Sequence, residues 1–288
     1  MDLIGFVADP LAYGFMQRGL AAAILVGIVC AVMGTFVVLK GLAFIGDAVS
    51  HAAFPGLVIA FMLGIPLYLG GAVASVGTAL AIGFVSRRSR LRFDTSVGVL
   101  FAGTFALGIL LFSTIDNYVA DLLGYLLGNV LGIGIGDLVQ VAVLGVVVLV
   151  IVILIRKELL FATFDPLGAA ASGLPVAGLE YLLLALLGVT IVVSIQAVGI
   201  VMVVAMLVTP AATAQLLVIR FERLMVLAAA LASVAAISGL YVSFYLNLAS
   251  GASIVLIETL FFLIALVVGP RSGLLAGRRA RLESTEPA

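Results

Sequence analysis

Residues 40–58 read KGLAFIGDAVSHAAFPGLV, an apolar segment that holds one acid and the only histidine of the chain. In a helix, Asp47 and His51 stand four residues apart and share one face, with Cβ atoms roughly 5–6 Å apart. A carboxylate oxygen and a neutral imidazole nitrogen suit Mn, Fe or Zn better than Mg or Ca. The pair therefore predicts a metal site; the alternative is a hydrogen-bonded pair that fastens two helices together.

The composition is that of a polytopic membrane protein. Hydrophobic residues fill 65% of the 288 positions and charged residues 10%, against roughly 25% charged in a soluble domain. An ionisable group at bilayer depth is costly unless it is paired or faces water, so Asp47 and His51 are candidates for function. The 14 basic and 14 acidic residues balance, and nucleic acid is not expected as a partner.

Two counts exclude other kinds of site. Cys30 is the only cysteine, which excludes an internal disulfide and a cysteine-based metal cage. Lys40 and Lys157 are the only lysines, and neither ends a glycine-rich phosphate-binding loop. The chain therefore does not bind ATP through such a loop.

The apolar runs predict an all-α transmembrane bundle of eight or nine spans that forms a single domain over 1–288. Each full run has the roughly 20 residues that a spanning helix needs, and the runs are 19–39, 67–86, 95–113, 137–155, 179–197, 199–219, 224–246 and 253–269. Residues 47–64 form a shorter span interrupted at Pro55-Gly56, and 1–17 and 120–135 look interfacial or re-entrant. Pro55, Pro66 and Pro210 are expected to break or kink spans.

Basic residues give the orientation. They cluster in four places, which the positive-inside rule makes cytoplasmic: Arg87 to Arg92, Arg156-Lys157, Arg220 with Arg223, and the basic tail at 270–288. The connections at 114–121 and 247–252 carry no Lys or Arg and are expected outside. The C-terminus is therefore predicted to be cytoplasmic.

The cytoplasmic loop at about 157–178 predicts a short, capped helix. Asp165 and Pro166 read as the N-cap and first residue, and Gly173, before Leu174, as the stop. A second short helix is expected after Pro175. Such a knob can dock another protein, although an ordinary interhelical loop is the alternative.

Two further polar residues are candidates for lining a pore. Ser50 lies between the two predicted metal ligands in sequence, and Glu258 is an acid inside the last span. A buried acid can also pair with a base or be held neutral.

Three segments resemble the membrane permease subunits of bacterial zinc and manganese ABC importers. They are GDAVSHAAFPG at 46–56, FDP at 164–166 with GLP at 173–175, and VGI at 198–200 through LVTPAATA at 207–214. The run SGASIVL at 250–256 fits the same family. The resemblance covers about residues 15 to 270.

The resemblance implies a type II ABC importer permease in the bacterial cell membrane. Asp47 and His51 match the family's metal ligands, and Asp165, Pro166, Gly173 and Leu174 match its coupling helix. It implies a homodimer with the pathway at its interface, an external metal-binding protein and two cytoplasmic ATPase subunits. The chain itself would then not be an enzyme; it would hold no resident cofactor, and Mn²⁺ or Zn²⁺, or else Fe²⁺, would be its substrate.

Two other functions stay open at this point. A permease for an iron chelate or vitamin would need a roomy cavity and no metal ligands from side chains. A proton-coupled secondary transporter would use Asp47, His51 and Glu258 as a relay.

Overall fold

The helices form a bundle in which all long elements are apolar. The computed structural model describes residues 8–89, 91–115 and 130–269. Its α-helices between residues 14 and 268 are α1 (Gly14–Leu39), α2 (Ala43–Leu63), α3 (Leu67–Arg88), α4 (Phe93–Phe112), α5 (Ile135–Leu154), α6 (Arg156–Phe164), α7 (Pro166–Ala171), α8 (Val176–Val198), α9 (Ile200–Leu217), α10 (Phe221–Leu246) and α11 (Ser250–Val268). A short 3₁₀ turn at Val130–Gly132 precedes α5.

The predicted all-α membrane fold is confirmed. Within the described ranges, eight helices are long and apolar enough to cross a membrane, namely α1 to α5, α8, α10 and α11. Helix α9 adds a further apolar segment. The basic tail at 270–288, most of the connection at 114–121 and the piece at 120–129 lie outside the described residues.

The expected interruption at Pro55 is wrong, because α2 continues through it to Leu63. A proline inside a helix removes one backbone hydrogen bond, here to the carbonyl of His51, but helices in a bundle tolerate the loss. Helix α2 ends instead at Gly64, whose φ of 67° gives a left-handed cap. Pro66 caps the start of α3 and Pro210 lies inside α9, so Pro66 separates two spans.

Helix α1 is the centre of the bundle and packs against α5, α8, α9 and α10. Glycine permits the closest approaches. A Cβ on Gly34 of α1 would lie 1.7 Å from the carbonyl oxygen of Leu207 in α9. Helices α2 and α3 meet in the same way, since a Cβ on Gly56 would lie 2.0 Å from the carbonyl oxygen of Gly70. Small residues let helices pack closely in lipid.

The basic connections meet at one end of the bundle. One cavity is lined by Lys40 after α1, Arg87 at the end of α3, Thr163 in α6 and Glu180 at the start of α8. Arg87 and Glu180 form an ion pair there. By the positive-inside rule this end is cytoplasmic, so α2 starts at the cytoplasmic face and runs outward.

The loop between α5 and α8 contains the predicted short helix. Helix α7 follows α6 directly, as the Asp165-Pro166 signal indicated. The second short helix expected after Pro175 is wrong, because the full span α8 begins at Val176. Pro175 supplies the boundary, and the apolar run then continues without a second break.

Candidate metal pathway

Asp47 and His51 lie on the cytoplasmic half of α2. At 1.5 Å per residue they stand about 6 and 12 Å from its first residue. Their side chains are 38% and 30% exposed in the single chain. Asp47 opens into a groove of about 510 Å³ between α2 and α9, called here the Asp47 groove, which is lined by Ala43, Phe44, Asp47, Val204, Ala205, Val208 and Thr209.

The contact between the two side chains fixes which nitrogen of His51 is free. Its Nδ1 lies 3.0 Å from the backbone oxygen of Asp47 and 3.4 Å from Oδ1 of the same residue. A backbone oxygen is always an acceptor, and a carboxylate oxygen of ionised Asp47 is an acceptor too. Nδ1 is therefore the donor and carries the proton in this arrangement. Nε2 then keeps its lone pair and is available to a metal ion.

Two phenylalanines of α4 hold the imidazole. The ring centroid of His51 lies 5.6 Å from that of Phe101 and 5.5 Å from that of Phe105, both edge to face. Such contacts stabilise one ring orientation by about 0.5–1.5 kcal/mol each. The second residue of the pair is therefore oriented by a neighbouring helix and not by Asp47 alone.

The pair offers two ligand atoms to a candidate metal site. In this arrangement Oδ1 of Asp47 and the lone pair on Nε2 of His51 are the two atoms that a metal ion can bind. Among the residues that the structure describes, no three His, Cys, Asp or Glu side chains form a group able to hold a metal. The remaining ligands would come from water or another chain, and such a partial site releases an ion readily.

The other two candidate pore residues lie elsewhere. Ser50 is fully buried, and its hydroxyl donates to the carbonyl of Gly46 at 2.7 Å. Glu258 is 2% exposed in α11, and neither residue lines the Asp47 groove. The structure therefore brings the side chains of Asp47 and His51 into contact. The hydroxyl of Ser50 is not exposed to the groove, and Glu258 is not placed in a relay with the pair.

The capped helix has the predicted local geometry. Asp165 Oδ1 accepts a hydrogen bond from the backbone N–H of Gly168 at 2.8 Å, with Pro166 in the first turn. Gly173 has a φ of 84°, and the N–H of Leu174 donates to the carbonyl of Ala169 at 3.1 Å. These bonds satisfy backbone groups at both ends of α7.

One side of α7 is apolar and unpacked. Leu167 is 83% exposed, and Phe164, at the end of α6, is also largely exposed. Ala169 is buried on the opposite side. Because both exposed residues lie at the cytoplasmic end, where no lipid tails reach, they form a surface suited to a protein partner.

Sequence reasoning missed the wall of the groove and the ion pair beside the loop. Val204 and Val208 look like ordinary span residues, and their spacing of four was the signal that they share one face of α9. Arg87 and Glu180 are 93 positions apart, and Glu180 looks merely interfacial in the sequence. Only the packing of α3 on α8 joins them.

The family model described as "ABC 3 transport family" matches residues 12–269. The chain belongs to this family. It is a multi-pass protein of the bacterial cell membrane, and the resemblance noted in its sequence is confirmed by its relatives.

Two relatives and one solved structure illustrate the match. The chain is 45% identical over 284 residues to the manganese transport system membrane protein MntC of Halalkalibacterium halodurans, covering 97% of each. It is 43% identical to the chelated iron transport system membrane protein YfeD of Yersinia pestis, covering 92% of this chain and 89% of the relative. The structure of PsaBC from Streptococcus pneumoniae in complex with Fab matches with a TM-score of 0.85 at 34% identity, covering 98% and 99%.

Proposed function

We propose that the chain is the membrane permease of an ATP-driven importer of divalent transition-metal ions, with Mn²⁺ as its main substrate. The observation that carries this proposal is that Asp47 lines the Asp47 groove and that His51 lies beside it, with Nδ1 3.4 Å from the Asp47 carboxylate. Relatives named as manganese transport proteins favour Mn²⁺ over Zn²⁺ and Fe²⁺. An oxygen and a nitrogen ligand suit all three ions.

The ion would pass from ligand to ligand along α2. His51, about one turn farther from the cytoplasm, would take part of the ion's hydration shell first, and Asp47 would pass it toward the cytoplasmic end. Neutral imidazole binds metal and imidazolium does not, so acid should weaken uptake. A site of few ligands binds well enough to admit the ion and weakly enough to release it.

A second copy of the chain is the partner that would complete the site. The Asp47 groove opens on the surface of one protomer, with Phe44 51% exposed beside the acid. A carboxylate facing lipid would be costly. In a homodimer with the grooves at the interface, two copies of Asp47 and His51 would face one water-filled pathway.

The remaining partners act at the two faces of the membrane. Helix α7, with Leu167 exposed, would dock the cytoplasmic ATPase subunits, which would hydrolyse ATP; the permease itself would catalyse no reaction. An external metal-binding protein would deliver the ion.

The experiment is uptake of radioactive Mn²⁺ by cells that express the whole importer. We expect Asp47→Ala and His51→Ala each to lower uptake at limiting Mn²⁺ by at least about tenfold, because each removes a direct ligand. Ser50→Ala is the matched control, since its buried hydroxyl does not reach the groove, and it should stay near wild type. Unchanged uptake in both ligand variants, with normal amounts of protein in the membrane, would refute the proposal.

A chelated metal is the second candidate substrate, because one close relative is named a chelated iron transport protein. A chelate already fills the coordination sphere of its metal, so transport would not depend on side-chain ligands. Uptake of the chelate that survives both Asp47→Ala and His51→Ala, while uptake of free Mn²⁺ is absent in wild type, would favour this candidate.

A further inference from the structure

Glu258 is a buried acid that the proposed pathway does not use. It lies near the middle of α11, is 2% exposed, and has no hydrogen-bond partner for either carboxylate oxygen among the described residues. Helix α11 packs against α9, α10 and the 3₁₀ turn. An ionisable group at such a depth is a functional candidate, because lipid and apolar neighbours solvate its charge poorly.

The surroundings of Glu258 are apolar and nearly free of charge. Ile254 of α11 contacts Gly239 of α10, and the two helices run antiparallel. Glu258 follows Ile254 by one turn and is therefore level with the turn of α10 that precedes Gly239. The buried residues of that part of α10 are Ala232, Ala235 and Ala236. Cys30 of α1 is a buried titratable group within electrostatic range of Glu258. The Cys30 thiol shares a hydrogen bond with the hydroxyl of Ser194 at 3.2 Å.

No other titratable group of the packed elements is at this level. The sequences of α9 and of the 3₁₀ turn contain none. Glu222 and Arg223 lie in the first turn of α10, and Tyr241 and Tyr245 lie beyond Gly239 toward its other end. Among the described residues, no cation lies within ion-pair distance of the Glu258 carboxylate, and this includes Arg18 of α1.

A proton is the cation that suits one isolated carboxyl group. A metal ion needs several ligands, and no group of three metal-ligating side chains occurs among the described residues. The thiol of Cys30 is engaged with Ser194. A protonated carboxyl group, in contrast, is uncharged and can be buried at far lower cost than a carboxylate.

Helix α9 connects Glu258 with the metal pathway. With Val204 and Val208 it forms the wall of the Asp47 groove. With Met202 it packs on α11, where a Cβ on Gly251 would lie 1.7 Å from the Met202 methyl carbon. A movement of α9 that widens the groove therefore also acts on α11, the helix that carries Glu258.

We propose that Glu258 is a proton-binding site, occupied while α9, α10 and α11 are packed as in this structure and vacated when α9 moves at the Asp47 groove. In the packed arrangement of α9, α10 and α11, burial keeps the carboxyl group neutral; when these helices separate, water reaches the group and it can ionise. Alkaline conditions therefore favour the separated arrangement and hinder the return to the packed one. The presence of the proton is inferred from the packing of the three helices alone, whereas its effect on transport rests on the proposed function.

The first test reads the proton directly and does not depend on transport. A protonated carboxyl group has an infrared carbonyl band that a carboxylate lacks. Purified permease in lipid nanodiscs at neutral pH should show this band, and Glu258→Gln should lose it. Glu222→Gln, which changes an exposed acid of α10, should keep the band. If Glu258→Gln does not fold, Glu258→Met serves the same purpose. A spectrum without the band in wild type, or one in which the Glu258 variant retains it, overturns the proposal.

The second test reads the consequence for transport. Mn²⁺ uptake by the whole importer in liposomes should fall at alkaline pH, with a limiting slope of about tenfold per pH unit for one proton. Glu258→Gln cannot ionise and should lack this fall, while Glu222→Gln should retain it. A Glu258→Gln profile that keeps the alkaline fall overturns the role in the cycle. Absence of Mn²⁺ uptake by wild type would instead refute the proposed function and leave the infrared result to decide the proton site.

Discussion

At the scale of residues, the geometry of the proposed metal ligands Asp47 and His51 depends on three helices. The spacing of Asp47 and His51 was readable from the sequence, because four residues make about one helical turn. The orientation of the imidazole was not readable, because it depends on Phe101 and Phe105 from α4. The exposure of the acid depends likewise on the distance between α2 and α9.

Phe105→Leu should loosen the His51 ring without removing a ligand. An edge-to-face contact contributes about 0.5–1.5 kcal/mol, so the half-saturating Mn²⁺ concentration for uptake should rise by up to about tenfold. Phe112→Leu, in the same helix but against Phe54, is the control. Equal half-saturating concentrations for both variants would show that the aromatic contact does not orient the ligand.

At the scale of elements, close helix packing outweighs local helix-breaking signals. Pro55-Gly56 reads as a break in the sequence, yet α2 continues past both residues. The reason is that Gly56 lies against Gly70 of α3, and Phe54 and Pro55 lie against Gly108 of α4. Sequence rules for proline describe the local cost, whereas these contacts between helices are visible only in the fold.

Gly70→Ala should destabilise the contact between α2 and α3. The added methyl would lie 2.1 Å from the carbonyl oxygen of Gly56, and overpacking of this kind costs about 1–3 kcal/mol or more. Thermal unfolding in detergent should begin at a lower temperature than in wild type. Gly77→Ala is the control on the same helix, because a Cβ there meets nothing within 4 Å. Equal melting of both variants would contradict the packing account.

The short helix α7 should be the contact for the ATPase. Leu167→Glu places a charge on the most exposed apolar side chain of this helix, so co-purification of the ATPase with the permease should be lost while the permease remains in the membrane. Leu248→Glu, an exposed leucine after α10 at the opposite face, should leave co-purification intact. Retention of the ATPase by Leu167→Glu would remove α7 from the interface.

At the scale of the whole molecule, the apolar runs and the basic connections predicted most of the architecture. The membrane class and the spans follow from hydropathy, and the capped α7 follows from Asp165 and Pro166. The Arg87–Glu180 ion pair could not be predicted, and the sequence left open whether Glu258 lines a pore or is buried. Both depend on which helices become neighbours, and in lipid the association of helices is determined by their shape and close packing.

A homodimer with paired Asp47 grooves should be detectable by cross-linking. Since Cys30 is the only cysteine and is buried, a Cys30→Ala background can carry one new cysteine. Phe44→Cys at the groove should form a disulfide-linked dimer in membranes. Val226 is exposed near the cytoplasmic start of α10, at the same face of the membrane as Phe44. Val226→Cys should stay monomeric. Dimers formed through Val226→Cys and not through Phe44→Cys would place the interface elsewhere.

The most direct measurement is pulsed electron paramagnetic resonance of Mn²⁺ bound to the purified permease with its ATPase in nanodiscs. A nitrogen ligand couples to the Mn²⁺ electron spin and is visible in the spectrum. We expect nitrogen coupling in wild type and in Ser50→Ala, and its loss in His51→Ala. Bound Mn²⁺ without nitrogen coupling in wild type, or with the same coupling in His51→Ala, would contradict the account of Asp47 and His51 as ligands of the passing ion.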